Sequence, residues 1–167
     1  MVRYFIGDVI EIVSFRNEEL NVNIPQMMFH SRMDGVIDFA GFIRLSESTI
    51  WQAIENSGVS YKEWTVRKEE GANPKVHLYL EIQPGAEARN GKIVGAIHEQ
   101  LKKLDTYYAA HVDLLDRVPL EVTLLPQGAF KSYAARQRAA GADLAHLKPP
   151  HMNPSDDVID RLLSPVP

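Results

Sequence analysis

The stretch HSRMDGVIDFAGFIRLSE, residues 30–47, threads Arg32, Asp34, Asp38 and Arg44 through an apolar, β-type run broken by Gly35 and Gly41. A buried strand has no use for four charges. An exposed edge hairpin does, because its charges face water. So does a hinge, where glycine absorbs large φ/ψ changes at low cost. The other reactive side chains are scattered. Asp8 follows Gly7 at the end of an extended segment, a place where a carboxylate caps a turn. Arg32 has Asp34 and Asp38 within reach as surface ion-pair partners. Lys148 stands in Leu-Lys-Pro-Pro, where the following proline keeps it extended, and a lysine in such a tail is ordinarily solvated. The six histidines, His30, His77, His98, His111, His146 and His151, show no paired spacing on a helix face, so no metal is assigned to them. The absence of cysteine excludes disulfides, thiolate chemistry and Cys-based metal sites. The ten glycines never cluster as a phosphate cradle requires.

The elements that would position these residues can be read from periodicity. Residues 8–15 are rich in β-branched side chains and predict a strand, and residues 27–32 can pair back on it. Ser46 predicts a helix N-cap, with Leu45 and Ile50 at the spacing of a hydrophobic staple and Gly58 as the stop. A strand at 60–69 and the alternation Val76, Leu78, Leu80, Ile82 predict an antiparallel hairpin. A helix over about 92–104 carries the stripe Ile93, Val94, Ile97, Leu101 and Leu104. A short helical turn is expected near 107–117, then a strand through Leu120, Val122 and Leu124, then a helix over about 128–140 ended by Gly141. The tail carries five prolines and one short helical piece near 157–163. Trp51, Trp64, Met27 and Met28 are expected in the core.

This order predicts an α+β fold: a split βαβ (βαββαβ) sheet with helices packed on one face, preceded by an N-terminal β-hairpin and followed by a proline-rich tail. The domain reading is 1–35 for the hairpin and hinge, 36–141 for the βαββαβ domain, and 142–167 for the extended tail. Ile50, Ile54, Leu78, Leu80, Ile97, Leu101, Val122 and Leu124 should form one cluster.

Composition narrows the function classes. With 45% hydrophobic residues, the 167-residue chain can build an ordinary core. A net charge of -4 argues against a nucleic-acid or anionic-membrane surface. No run approaches the roughly 18 apolar residues of a membrane span, and residues 1–15 lack a secretory leader pattern. A cytoplasmic location is the expectation. A strand-like pattern already under way at Val2 suggests a segment of a longer chain.

Three separated stretches carry a resemblance. RYFIGDVIEI resembles the Tyr-Arg-x-x-Gly-Asp-Val motif of adenylate-forming enzymes, and SRMDGVIDFAGFIRLSE resembles their hinge motif. LLPQGAFKSYAARQRAAGADLAHLKPP resembles the closing segment of the auxin-responsive acyl acid amido synthetases. The order and spacing of the three, from Tyr4 to Pro150, are more specific than any one of them. The resemblance is to the C-terminal part of such enzymes.

It implies the mobile C-terminal domain of an ATP-dependent ligase that activates a small carboxylic acid as an acyl-adenylate, for transfer to an amino acid or thiol. Asp8 would accept from the ribose hydroxyls, and Arg32 would offer donors to ribose or phosphate oxygens. Asp34 and Gly35 would form the hinge. Lys148 would bring positive charge to the α-phosphate. ATP and Mg2+ would serve the full-length enzyme, whose N-terminal adenylation domain is missing here, and the fragment alone should be inactive. The rival from another class is a stand-alone small-ligand-binding regulatory module on a ferredoxin-like sheet. A protein-interaction adaptor is a third reading and predicts a large exposed apolar patch.

Overall fold

The computed structural model describes residues 8–32, 35–39, 41–85, 90–143 and 147–165. The chain divides into two compact units, residues 1–36 and 37–167. Asp34 lies outside the described residues, and Gly35 falls one residue before the end of the first unit.

The first unit is a β-hairpin. β1 (Asp8–Ser14) runs antiparallel to β2 (Gln26–Arg32), with irregularities after Val9 and Ile12. The long connection closes on itself through reciprocal backbone bonds between Asn17 and Val22, at 2.9 and 3.2 Å.

β3 (Val36–Phe39), whose first residue ends the first unit, forms a ribbon with β4 (Ile43–Ser46), and the turn between them places Gly41 at φ +79°. That conformation suits a residue without a Cβ. α1 (Glu47–Asn56) follows at once. The Ser46 hydroxyl accepts from Thr49 N–H at 3.1 Å, Leu45 and Ile50 are buried as the staple requires, and Gly58 adopts φ +73° just past the end. β5 (Tyr61–Glu69) and β6 (Lys75–Ile82) pair antiparallel, and β7 (Leu120–Leu124) lies parallel on the far side of β6. A parallel neighbour needs a long crossover. Here it consists of α2 (Asn90–Leu104) and α3 (Thr106–Leu115). α3 is ten residues long, more than the single turn the sequence predicts. The Asp105 carboxylate caps it by accepting from Tyr108 N–H at 2.7 Å.

The α+β class and the order βαββαβ hold, with two differences of detail. β4 bonds to β3 and not to the β5–β6–β7 sheet, yet Ile43 and Leu45 still enter the common core. The helices α1, α2 and α3 share that core with one sheet face, as expected. α4 (Ala129–Ala139) and α5 (Asp156–Leu163) add a second, smaller layer on the other face. They bury Tyr133, Ile159 and Leu162 against Tyr79, which points away from Leu78 and Leu80. Of the eight expected core residues, seven are buried in one cluster and Leu124 packs partly buried against it. Trp64 is buried, but Trp51, Met27 and Met28 are exposed, against expectation. Trp51 lies on the outward side of α1, and both methionines sit on a two-stranded ribbon. Among the described residues, no helix is long and apolar enough to cross a membrane.

One buried charge holds the second layer in place. Glu81 is 2% exposed. Its carboxylate accepts from Gly128 N–H at 2.8 Å and Phe130 N–H at 3.2 Å, the free amides at the start of α4, and meets Lys62 Nζ at 3.4 Å. A negative charge at a helix N-terminus is favoured both by the open donors and by the helix dipole.

Candidate functional site

The site is best built from the tail. After α4 ends at Gly141, the chain returns along the free edge of β5. Val66 N–H donates to His151 C=O at 2.7 Å, and Asn153 N–H donates to Val66 C=O at 2.8 Å, a parallel bridge centred on Met152. The Thr65 hydroxyl donates to Pro150 C=O at 2.7 Å. Met152 is buried in the main core, and Pro149 and Pro154 are also buried. A strap with so many backbone bonds and anchors is fixed, and it covers an edge that would otherwise expose unpaired amides.

Lys148 leaves this strap just before the buried Pro149. Its side chain is 83% exposed, and its ammonium lies 3.6 Å from Glu63 Oε2. Such an exposed pair contributes little to stability, so the ammonium can reach another anion. The imidazole of His151 stacks on Trp64, with ring centroids 4.5 Å apart and planes 22° apart. Its Nδ1 lies 2.7 Å from Glu47 Oε1 and its Nε2 3.0 Å from Glu63 Oε1. The residue after the Lys-Pro-Pro run is thus tied to α1 and to β5 at once. Sequence reasoning missed Glu47, Glu63 and His151 as a group. Glu47 and Glu63 lie 104 and 88 positions from His151, and no local pattern links them.

The hairpin carries the other expected residues. β1 and β2 set Asp8 directly opposite Arg32. Residues 24 positions apart, each singled out for a nucleotide, are therefore cross-strand neighbours within residues 1–36. Lys148 belongs to residues 37–167.

A second polar group occupies the sheet face that carries Tyr79, beside the layer of α4 and α5. Glu69, His77 and Glu121 bring donor atoms within 4.8 Å of one another. The strand register assembles them: Lys75 is opposite Glu69, and His77 is opposite Glu121. His77 Nδ1 is 2.6 Å from Glu69 Oε1, and Nε2 is 2.7 Å from Thr123 Oγ1. Burial pushes the Glu69 carboxyl up, but hydrogen bonds and charge from His77, Tyr79 and Lys75 outweigh it and hold the group below the usual carboxylate range. Lys75 bonds Glu121 and lies 3.6 Å from Glu69 Oε2. A cation of the chain's own therefore sits among these carboxylates, so the group does not fit an open Mg2+ site, which needs free oxygen donors and room for water. Beside it, an open cavity of about 720 Å3 is lined by Arg67, Glu69, Asn153 and Asp156, among others. Asp156 holds Arg67 at 2.5 Å.

Comparison with known proteins places this geometry. Residues 47–157 match the model of the GH3 family C-terminal domain. The structure of a GH3.15 acyl acid amido synthetase is similar over 94% of this chain and 30% of that one, at 18% identity and a TM-score of 0.68. The structure of AtGH3.15 acyl acid amido synthetase in complex with 2,4-DB is similar over 94% and 29%, at 18% identity and a TM-score of 0.64. At that identity the likeness is one of fold. The chain spans under a third of the length of these neighbours. No curated protein matches the chain. The match of the family model to most of the chain, from the first residue of α1 to the start of α5, shows that it belongs to the GH3 family as its C-terminal domain.

Proposed function

We propose that this chain is the mobile C-terminal domain of an ATP-dependent acyl-adenylate-forming ligase, which activates a small carboxylic acid for transfer to an amino acid or thiol. The observation that carries the reading is Lys148: an exposed ammonium at the head of a rigid strap, held by one weak ion pair. Adenylation builds negative charge around the α-phosphate of ATP as the acid attacks. A placed ammonium stabilises that transition state more than the bound ground state. Asp8 accepts from the ribose hydroxyls and Arg32, opposite it, supplies donors. Asp34 and Gly35 serve as the hinge about which the domain turns between adenylation and transfer. The N-terminal adenylation domain supplies the remaining nucleotide contacts and the acid pocket. Mg2+ would accompany the nucleotide in such a reaction.

Lys148→Ala in the full enzyme tests this. It should slow adenylation about a hundredfold, on the order of 3 kcal/mol. Acyl transfer from a supplied acyl-adenylate should stay near wild type. Lys103→Ala, on the exposed side of α2, is the control. Adenylation within about twofold of wild type would make Lys148 an ordinary tail residue. The isolated chain should release no pyrophosphate from ATP with any acid, because it lacks a phosphate loop.

A further inference from the structure

Glu63 stands between two basic side chains of the strap. Oε1 faces the His151 ring at 3.0 Å, and Oε2 faces the Lys148 ammonium at 3.6 Å. The far ring nitrogen faces Glu47 at 2.7 Å. Ionised carboxylates only accept hydrogen bonds, so the ring can donate to both of them only as the imidazolium, with its two N–H groups. The neutral ring has one N–H and turns a lone pair toward the other carboxylate. The charged groups around the ring are Glu47 from α1, Glu63 from β5 and, through Glu63, Lys148 from the strap itself. Trp64 covers one ring face.

We propose that His151 is a positioning residue for Lys148: its imidazolium, clamped between Glu47 and Glu63, anchors the Lys-Pro-Pro segment on the edge of β5 and draws the Glu63 charge away from the Lys148 ammonium. The proposal rests on the reading of Lys148 given above. The link between positions 151 and 148 is stiff. Two prolines fix φ at 149 and 150, Pro149 is buried, and the carbonyls of Pro150 and His151 are bonded to β5. An anchor at His151 therefore sets the direction from which Lys148 leaves the surface. When the ring loses its proton, one of its two carboxylate bonds is lost. Where the lost bond is the one to Glu63, that carboxylate turns its full charge on Lys148; loss of either bond loosens the strap.

Two readouts test it. In the 167-residue chain, amide exchange of Val66 and Asn153, corrected for intrinsic rates, reports the strap. Their protection should fall about tenfold as the ring is deprotonated, a loss of one net hydrogen bond. It should be low and independent of pH in His151→Gln, while amides of the β5–β6 ladder hold. In the full enzyme, His151→Gln should slow adenylation about tenfold at pH 6 and flatten its pH profile. His151→Arg, a permanent cation able to reach two carboxylates, should restore the rate and extend it to alkaline pH. A His151→Gln variant with wild-type strap protection and a wild-type pH profile would overturn the proposal. If instead Lys148→Ala leaves adenylation unchanged, the catalytic reading of Lys148 fails, and amide exchange still decides whether His151 anchors the strap.

Discussion

The β1–β2 hairpin and the β5–β6–β7 sheet use similar residues to opposite effect. Both are rich in β-branched and aromatic side chains. In the hairpin, Ile10, Ile12, Met27 and Met28 are each about half exposed or more, and Phe15 is 74% exposed. In the sheet, Trp64, Val66, Val76, Leu78, Leu80 and Val122 are all nearly inaccessible. A ladder of backbone hydrogen bonds is common to both, so it is not what separates them. Helices cover the sheet on both faces, and a two-stranded ribbon lacks such cover. Isolated hairpins are marginal in water for this reason.

The largest test of that contrast is a pair of truncations. Leu80→Ala removes a side chain with 0% exposure from the middle of the central strand. It should destabilise the second unit by about 3 kcal/mol, the loss of transfer energy plus a cavity. Ile12→Ala, at 48% exposure, should cost no more than about 0.5 kcal/mol. Chemical denaturation read by Trp64 fluorescence distinguishes the first. Equal effects from the two substitutions would mean that the hairpin is covered after all.

A substitution at Glu81 sharpens the contrast by asking what holds the second helical layer. Glu81→Gln keeps the shape and one acceptor but removes the charge that the α4 amides and Lys62 face. A loss of about 1–2 kcal/mol is expected. Protection of α4 and α5 should fall before that of α1 and α2. Uniform loss across both layers would make Glu81 a general core contact rather than the cap of one helix.

The parts of this architecture that were legible in the sequence are those dictated by neighbours in the chain. The Ser46 cap, the Gly58 and Gly141 stops, the stripe of α2 and the alternation of β6 are local patterns, and each produced the element it predicts. Alternation alone did not reveal that Tyr79 would be covered, because a polar-looking face with His77 and Glu81 reads as solvated. The partner of β4 was equally hidden, since strand pairing is set by tertiary packing. The Asp8–Arg32 pairing was hidden too: both strands were legible, but the register between them, with its two irregularities, was not. The Glu47–His151–Glu63 group had no local signal at all. It exists only because the tail returns to the edge of β5, and a proline-rich tail gives no pattern for where it docks.

The smallest expected effect concerns buried histidines in the helical layer. His98 is 6% exposed, and its Nδ1 lies 3.0 Å from the Tyr108 hydroxyl. Burial lowers its affinity for a proton, Glu99 opposes the shift, and Lys102 adds to it, leaving the group below the ordinary value of 6.5. His111 on α3 is lowered by burial and by Arg117. Between the lowered folded value and 6.5, the unfolded chain binds more protons than the folded one. Stability must then fall as pH drops below about 6.5, and level off once the folded ring is also charged. Glu69, held below 4.5, loses its contribution only in a lower window, so the two effects are separable along the pH axis. In a His151→Gln background, where the strap has no pH dependence of its own, thermal unfolding at pH 7.5, 6.5 and 5.5 should show a decline confined to the lower two points. His98→Gln costs some stability at every pH, because the ring packs in the core, but it should shallow the slope below pH 6.5. Amide exchange should locate the acid loss in α2 and α3 and leave the β1–β2 ladder as it was. An unchanged slope in His98→Gln would move the acid sensitivity away from this residue, leaving His111 as the next group to test.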